Sequence, residues 1–231
     1  MARIIAVDTT AEFGSLALVD GPAVIDEVLL HAPDGFGQVL FGHLENLLGR
    51  HGWTLRDTDC FAAAAGPGSF TGVRVGLSAV KGLAEATGKP VVSVSNLAAL
   101  AWFGSEELRA TVLDARRGEV FAALYDARLR SVMPETVGKL PEWLASLPEG
   151  RIEFLSTDFA PFRPALAGTR FEASKVTDAP RALAGAVGRL AAGRLAQGLA
   201  EDPASVDASY VRRSDAELQW SDPGLRGDAE R

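Results

Sequence analysis

Two short stretches hold the residues whose types and order could do chemistry. The first is Asp8-Thr9-Thr10, with Gly14-Ser15 behind it. An acidic residue at a strand end, followed by a hairpin of small residues, is one way to meet a metal–phosphate group. Asp and Thr also simply end strands and form turns. The second stretch is Gly66-Pro67-Gly68-Ser69-Phe70-Thr71-Gly72-Val73-Arg74-Val75-Gly76. Here a Gly-Pro-Gly turn hands over to a helix that opens on a hydroxyl residue. Open N–H groups at a helix N-terminus suit an anion, so Asp8, Thr9, Gly66, Gly68, Ser69 and Thr71 form a candidate phosphate-facing loop. The competing reading is that Ser69 or Thr71 caps the helix and the glycines make the turn. The pattern lacks a P-loop lysine.

Other reactive residue types are sparse. His31, His43 and His51 stand twelve and eight residues apart. Two imidazoles share an ion when they are four apart on one helix face. Positions 43 and 51 would lie about 12 Å apart, too far for one small ion, so no metal is expected. Cys60 sits in an apolar run with nothing nearby to lower its pKa, which reads as a small core residue. A peptidase would need Ser69 or Ser78 beside a histidine, and no histidine is placed there. A kinase would need a second phosphate loop. After Asp114 no Gly-rich loop opens a helix, and Arg116-Arg117-Gly118 reads as a hairpin turn.

The elements that must position these residues follow from periodicity. Arg3 to Thr9, Ser15 to Asp20 and Ala23 to Leu30 read as three strands of an antiparallel meander. Phe36, Val39, Leu40, Leu44, Leu47 and Leu48 recur at helical spacing. A buried strand over Asp59 to Ala65, a helix from Ser69 to Thr87 closed by Gly88, a strand over Pro90 to Val94 and a helix capped by Ser95 complete β-β-β-α-β-α-β-α. The second half restarts with strands over Thr111 to Arg116, Glu119 to Asp126 and Ser131 to Val137. It continues with a short helix over Pro141 to Leu147, a strand over Ile152 to Thr157 and a long helix over Ala179 to Ala200, stopped by Asp202-Pro203. Tyr210-Val211-Arg212 reads as extended. The shared start implies a duplication with a reduced second copy: residues 1–105, then 106–231, whose last helix returns toward the first half.

Gly72 and Gly76 stand one turn apart on the second helix, although each interior glycine costs about 1 kcal/mol relative to alanine. Small residues at that spacing admit close approach, either inside the domain or at a subunit interface. The chain has 231 residues, 47% of them apolar, which suits an ordered α/β core. Its net charge of −7 repels nucleic-acid phosphates, so any nucleic-acid role would need a basic partner. A single cysteine fits a reducing compartment, and no apolar run approaches the ~20 residues of a membrane span. A cytoplasmic protein off the membrane is expected.

Together these pieces resemble the sugar kinase, Hsp70 and actin (ASKHA) superfamily, whose two halves each begin β-β-β-α-β-α. More narrowly, Gly66 to Gly76 followed by Ser78-Ala79-Val80-Lys81-Gly82-Leu83-Ala84 resembles the TsaB (YeaZ, Gcp-like) family, shortened relatives of the threonylcarbamoyl transferase TsaD. Ile5-Ala6-Val7-Asp8-Thr9, Asp114-Ala115-Arg116-Arg117-Gly118-Glu119-Val120-Phe121 and Tyr210-Val211-Arg212 follow the same family order. The resemblance implies a non-catalytic subunit of the bacterial tRNA threonylcarbamoyladenosine machinery. Such a subunit binds TsaD through the first-half helices, with TsaE joining the assembly, and pairs with itself when alone. On this sequence that face would comprise Val39, Leu40, His43, Leu47, Gly72, Val73, Gly76, Ala79, Val80 and Leu83. It implies no cofactor of the chain's own, with ATP or ADP bound only at the complex, and contact with tRNA only through the partner. The metal-binding His-x-x-x-His pair of the enzymatic relative has no counterpart here. Many relatives start the first helix with His-Ser. This chain has Asp34-Gly35-Phe36-Gly37-Gln38, so that edge differs. The alternative is a degenerate nucleotide-binding enzyme acting alone.

Overall fold

Short apolar, β-prone runs drive the first three strands together. In the computed structural model, which describes residues 1–209 and 211, β1 (Arg3–Asp8), β2 (Phe13–Asp20) and β3 (Ala23–His31) form the meander. Ile5 pairs with Leu18 across the ladder, and Leu16 with Val28. β1 is apolar on both sides: Ile4 and Ala6 join one core cluster, Ile5 and Val7 the other. Both faces of the sheet must therefore be covered.

α1 (Leu40–His51) follows a 3-10 turn at Phe36–Gln38, then β4 (Cys60–Ala64), α2 (Phe70–Thr87), β5 (Val91–Val94) and α3 (Asn96–Ala101). Both long helices end on a left-handed glycine, Gly52 (φ 64°) and Gly88 (φ 65°). The strand order is β3-β2-β1-β4-β5. α1 and α2 cover one face, burying Leu40, Leu44, Leu47, Val73 and Val80. Cys60 is fully buried, and desolvation pushes its thiol up to about 12, as expected for a core residue.

The second half repeats the plan: β6 (Leu108–Asp114), β7 (Val120–Asp126), β8 (Ser131–Gly138), α4 (Leu140–Ser146), β9 (Ile152–Ser156), β10 (Val176–Asp178) and α5 (Ala184–Ala196). Its sheet runs β10-β9-β6-β7-β8, the mirror listing of the first. This copy keeps five strands, one more than the sequence pattern revealed. β10 is only three residues long and half exposed, so it carries no apolar run to detect. What it lacks is the second crossover helix. A 3-10 turn at Arg163–Leu166 stands there, and Phe154, Phe159, Phe162 and Phe171 pack ring against ring with centroids 5.3–5.9 Å apart.

The last helix is shorter than its Ala-rich run suggests. It spans Ala184–Ala196 instead of Ala179–Ala200, ending before Gly198 (φ 73°) takes a left-handed turn. Its start is set by tertiary contact. Ser15 Oγ accepts from Leu183 N and Ala184 N at 3.0 and 2.9 Å, and Glu27 Oε1 accepts from Gly185 N at 2.7 Å. The first sheet thus caps a helix of the second half. α3, capped by Ser95 as expected, ends at Ala101.

One apolar cluster joins the halves: Ile4, Ala6 and Val94 from the first sheet, Leu97 and Leu100 on α3, Val187 on α5, and Ala115, Phe121 and Ala123 from the second sheet. The connecting residues are held by Glu153, fully buried on β9. It accepts from Ser105 N (2.6 Å), Glu106 N (2.9 Å) and Thr177 Oγ1 (2.6 Å), and pairs with Lys175 (3.0 Å). Burial opposes the charge, but those donors outweigh it and hold the carboxyl at about 2. Of the Tyr210-Val211-Arg212 segment, Tyr210 and Arg212 lie outside the described residues.

Candidate functional site

The two motifs that stood apart in sequence form one joint. Thr9 Oγ1 donates to Gly72 O at 2.7 Å, and Ser69 N donates to Thr10 O at 2.7 Å. A methyl group at Gly72 would lie 2.0 Å from the Thr9 carbonyl oxygen; one at Gly68 would lie 2.4 Å from that of Thr10, and one at Gly76 2.6 Å from Thr9 Oγ1. These glycines are small because the end of β1 lies against α2. Gly72 and Gly76 are therefore not an open face for a partner helix. A side chain at Gly76 disrupts the fold itself instead of a docking surface.

The phosphate-loop reading loses its donors in the same way. Ser69 caps α2, its Oγ accepting from Gly72 N at 3.3 Å. Gly66 N donates to Asn96 Oδ1 at 3.0 Å. The amides of Gly66, Ser69 and Gly72 are thus already bonded within the chain. Asp8 is 1% exposed at the end of β1. Its Oδ1 accepts from Thr10 N (2.9 Å), Thr10 Oγ1 (2.7 Å) and Asn96 Nδ2 (3.4 Å). Burial pushes its pKa up against those bonds.

Beside this joint a cleft of about 860 Å³ opens between the halves. Asp8, Thr9, Gly68, Ser69 and Thr71 line it; Gly66, with φ 99°, does not. Its walls also carry Glu12, Asp34, Asp114 and Asp158, opposed by Arg116 and Arg181. Carboxylates in excess favour cations over phosphates. Among the described residues no group of three or more His, Cys, Asp or Glu could hold a metal ion. The histidines are not brought together. His51 bonds Asp26 at 2.7 Å, which with Arg50 holds that carboxyl below its usual range, and His31 stacks on Phe13 at 4.7 Å.

A second surface lies on the outer side of α1 and α2. Of the residues expected there, Leu40, Leu47, Val73 and Val80 are buried, because the apolar stripe that marks a helix is the side that faces its own sheet. Val39 and Leu83 are half-buried, His43 is exposed, and Ala79 lines the edge of a groove. That groove, about 560 Å³, is walled by Phe41, Phe70, Arg74, Val75 and Ser78. Phe41 is 53% and Phe70 44% exposed, with the Arg74 guanidinium 3.6 Å over the Phe70 ring. Sequence reasoning missed both aromatics. The available signal was phase: Phe41 falls out of step with Leu40, Leu44 and Leu47.

A family model described as TsaD, tRNA N6-adenosine threonylcarbamoyltransferase, matches residues 35–220. The chain belongs to this family. Within it, the relatives point to the TsaB/YeaZ members. The tRNA threonylcarbamoyladenosine biosynthesis protein TsaB of Bacillus subtilis is 32% identical over 63% of this chain and 66% of its own length. That of Escherichia coli is 36% identical over 53% of this chain and 54% of its own. The matches thus span about half to two thirds of these curated relatives. YeaZ from Pseudomonas aeruginosa superposes with a TM-score of 0.76 at 26% identity, covering 91% of this chain and all of that one. The ADPNP-bound activator of 2-hydroxyisocaproyl-CoA dehydratase from Clostridium difficile, at 10% identity and TM-score 0.53, shares the ASKHA-type fold alone. No helix among the described residues is long and apolar enough to cross a membrane.

Proposed function

We propose that the chain is a non-catalytic scaffold in the synthesis of threonylcarbamoyladenosine beside the tRNA anticodon. In this reading it works in the cytoplasm and docks TsaD through the outer face of α1 and α2. TsaE joins that assembly, and tRNA is contacted through the partner. The observation that carries the reading is the groove with two large aromatic side chains about half exposed on adjacent helices. Aromatic side chains with an arginine are the composition of interface hot spots. Without TsaD the same face pairs with a second copy, as like domains commonly do.

The cleft supports the non-catalytic part. Its excess of carboxylates disfavours a bare nucleotide, and a core shared by both halves opposes the closure a kinase-like site would use. ATP or ADP would then be held only where the partner supplies the missing cations. The rival is a nucleotide-binding enzyme acting alone.

Gel filtration with light scattering on the chain mixed with its genome's TsaD, with and without ATP, tests this. A peak at the summed mass is expected. No complex under any nucleotide condition, together with tight ATP binding by the isolated chain, would favour the rival.

A further inference from the structure

A sheet edge is a row of unpaired N–H and C=O groups, which proteins normally blunt. β5, β8 and β10 are blunted here. Val91 on β5 exchanges both backbone bonds with Glu201, at 3.0 and 2.7 Å. β8 carries Pro134, which has no N–H to offer. β10 is three residues long. β3 is the exception. It is nine residues long, stands last in its sheet and contains no proline. Among the described residues nothing bonds to its outer edge. Leu29 on this strand is 48% exposed.

The order of residues along β3 selects an occupant. Asp26 is already held by His51 and Arg50, at 2.7 and 3.1 Å. Glu27 has no ion pair among the described residues, and burial, with Asp8 adding to it, pushes its carboxyl above the usual range. A cation beside it is therefore favoured. His31 lies on the same side as Leu29 and Glu27, held by its stack on Phe13. Two copies of β3, antiparallel about a twofold axis at Leu29, set Leu29 against Leu29, His31 against Glu27 and Val28 against Leu30. That ladder ends by itself, at the register shift beside Ile25 and at Pro33. An axis at Asp26 or Glu27 opposes like charges. One at Val28 sets Glu27 against Leu29, and one at Leu30 sets it against Pro33. The axis at Leu29 matches charge and apolarity together, as an isologous pair requires.

We propose that β3 is a self-association edge, where two copies of the chain join in antiparallel register about Leu29 into one continuous sheet. None of the pairing residues lines the α1–α2 groove, so this pair is separate from the self-pairing of the scaffold reading. One short ladder is a small interface, so the pair forms as concentration rises.

The test is sedimentation equilibrium over a dilution series, on the full chain carrying Phe41→Ser to disable pairing through the groove. A monomer–dimer equilibrium is expected. Adding Leu29→Lys should leave a monomer, since two ammonium groups then meet at the axis. Adding His31→Glu should weaken the pair about tenfold, because two like-charge contacts replace two opposite ones, while His31→Lys should preserve it. No association in the Phe41→Ser chain, association that survives Leu29→Lys, or a Kd unmoved by His31→Glu each overturns the proposal.

Oxidation reads the register. In Leu29→Cys the paired Cβ atoms stand about 5 Å apart, near disulfide reach. In Ile25→Cys they stand about 27 Å apart along the strand. Cys60 is fully buried with its thiol pushed up to about 12, so it stays out of the reaction. Leu29→Cys should link into a covalent dimer and Ile25→Cys should not. No link at Leu29→Cys, or an equal one at Ile25→Cys, overturns the register. A chain that pairs this way yet never binds TsaD sinks the scaffold reading and leaves this one standing.

Discussion

The two halves share one strand order and complete it differently. In the first, β4 returns to β5 through the eighteen-residue α2, and α1 lies beside it. In the second, β9 returns to β10 through a 3-10 turn, and four phenylalanines fill the space beside it. A helix covers a sheet with one stripe and keeps an outer face. A turn with an aromatic cluster directs its apolar side chains inward and keeps little outside. The same topology thus gives one half that can present a surface and one half that mainly supports it.

Phe154 is fully buried at the centre of the aromatic cluster of the second half. Phe154→Ala should cost about 4 kcal/mol of stability in urea unfolding, yet leave the partner affinity of the folded protein unchanged. Affinity lost along with stability would mean the second half also binds. In the first half, Gly72→Ala should cost about 3 kcal/mol, because its methyl meets the Thr9 carbonyl, and the loss should register as a lower Tm.

Between the halves, Glu153→Gln should remove about 3 kcal/mol at pH 7. The folded carboxyl sits at about 2 against an ordinary 4.5, so its contribution is present above pH 4.5 and fades as pH falls toward 2. Wild type and variant should therefore converge in acid denaturation, and parallel curves would refute the clamp. Phe41→Ala sharpens the contrast. It should weaken TsaD binding by about 2 kcal/mol in calorimetric titration while stability moves within about 0.5 kcal/mol.

The smallest effect concerns Asp8. Burial raises its pKa, so the stability linked to it is full below its ordinary value of 3.8 and lost as pH rises through the raised one. Asp8→Asn should raise Tm at pH 7, with the gain vanishing in acid. A lower Tm at pH 7 would mean the charge itself holds Thr10 and Asn96.

Much of this was legible before any coordinates. The meander, the placement of α1 and α2 and the Ser69 cap follow from short apolar runs bounded by turns, helical spacing and local capping chemistry, all decided within a few residues. The family resemblance rests on the same local stretches, chiefly Gly66 to Gly76. The start of α5 was not legible, because Ser15 and Glu27, more than 150 residues away in sequence, cap it. Nor was β10, whose pairing with β9 supplies what its own residues do not.

The glycines of α2 mark the divide. Their spacing in the sequence showed that the helix can be approached closely there, since only a missing side chain permits that contact. It could not determine what approaches. Tertiary structure decided that Thr9 and Thr10, at the end of β1, fill that space, and it thereby moved the candidate interface from the glycines to Phe41 and Phe70 on the outer side. The physical reason is that periodicity reports which face of a helix is buried, while the neighbour that buries it is set by the path of the whole chain.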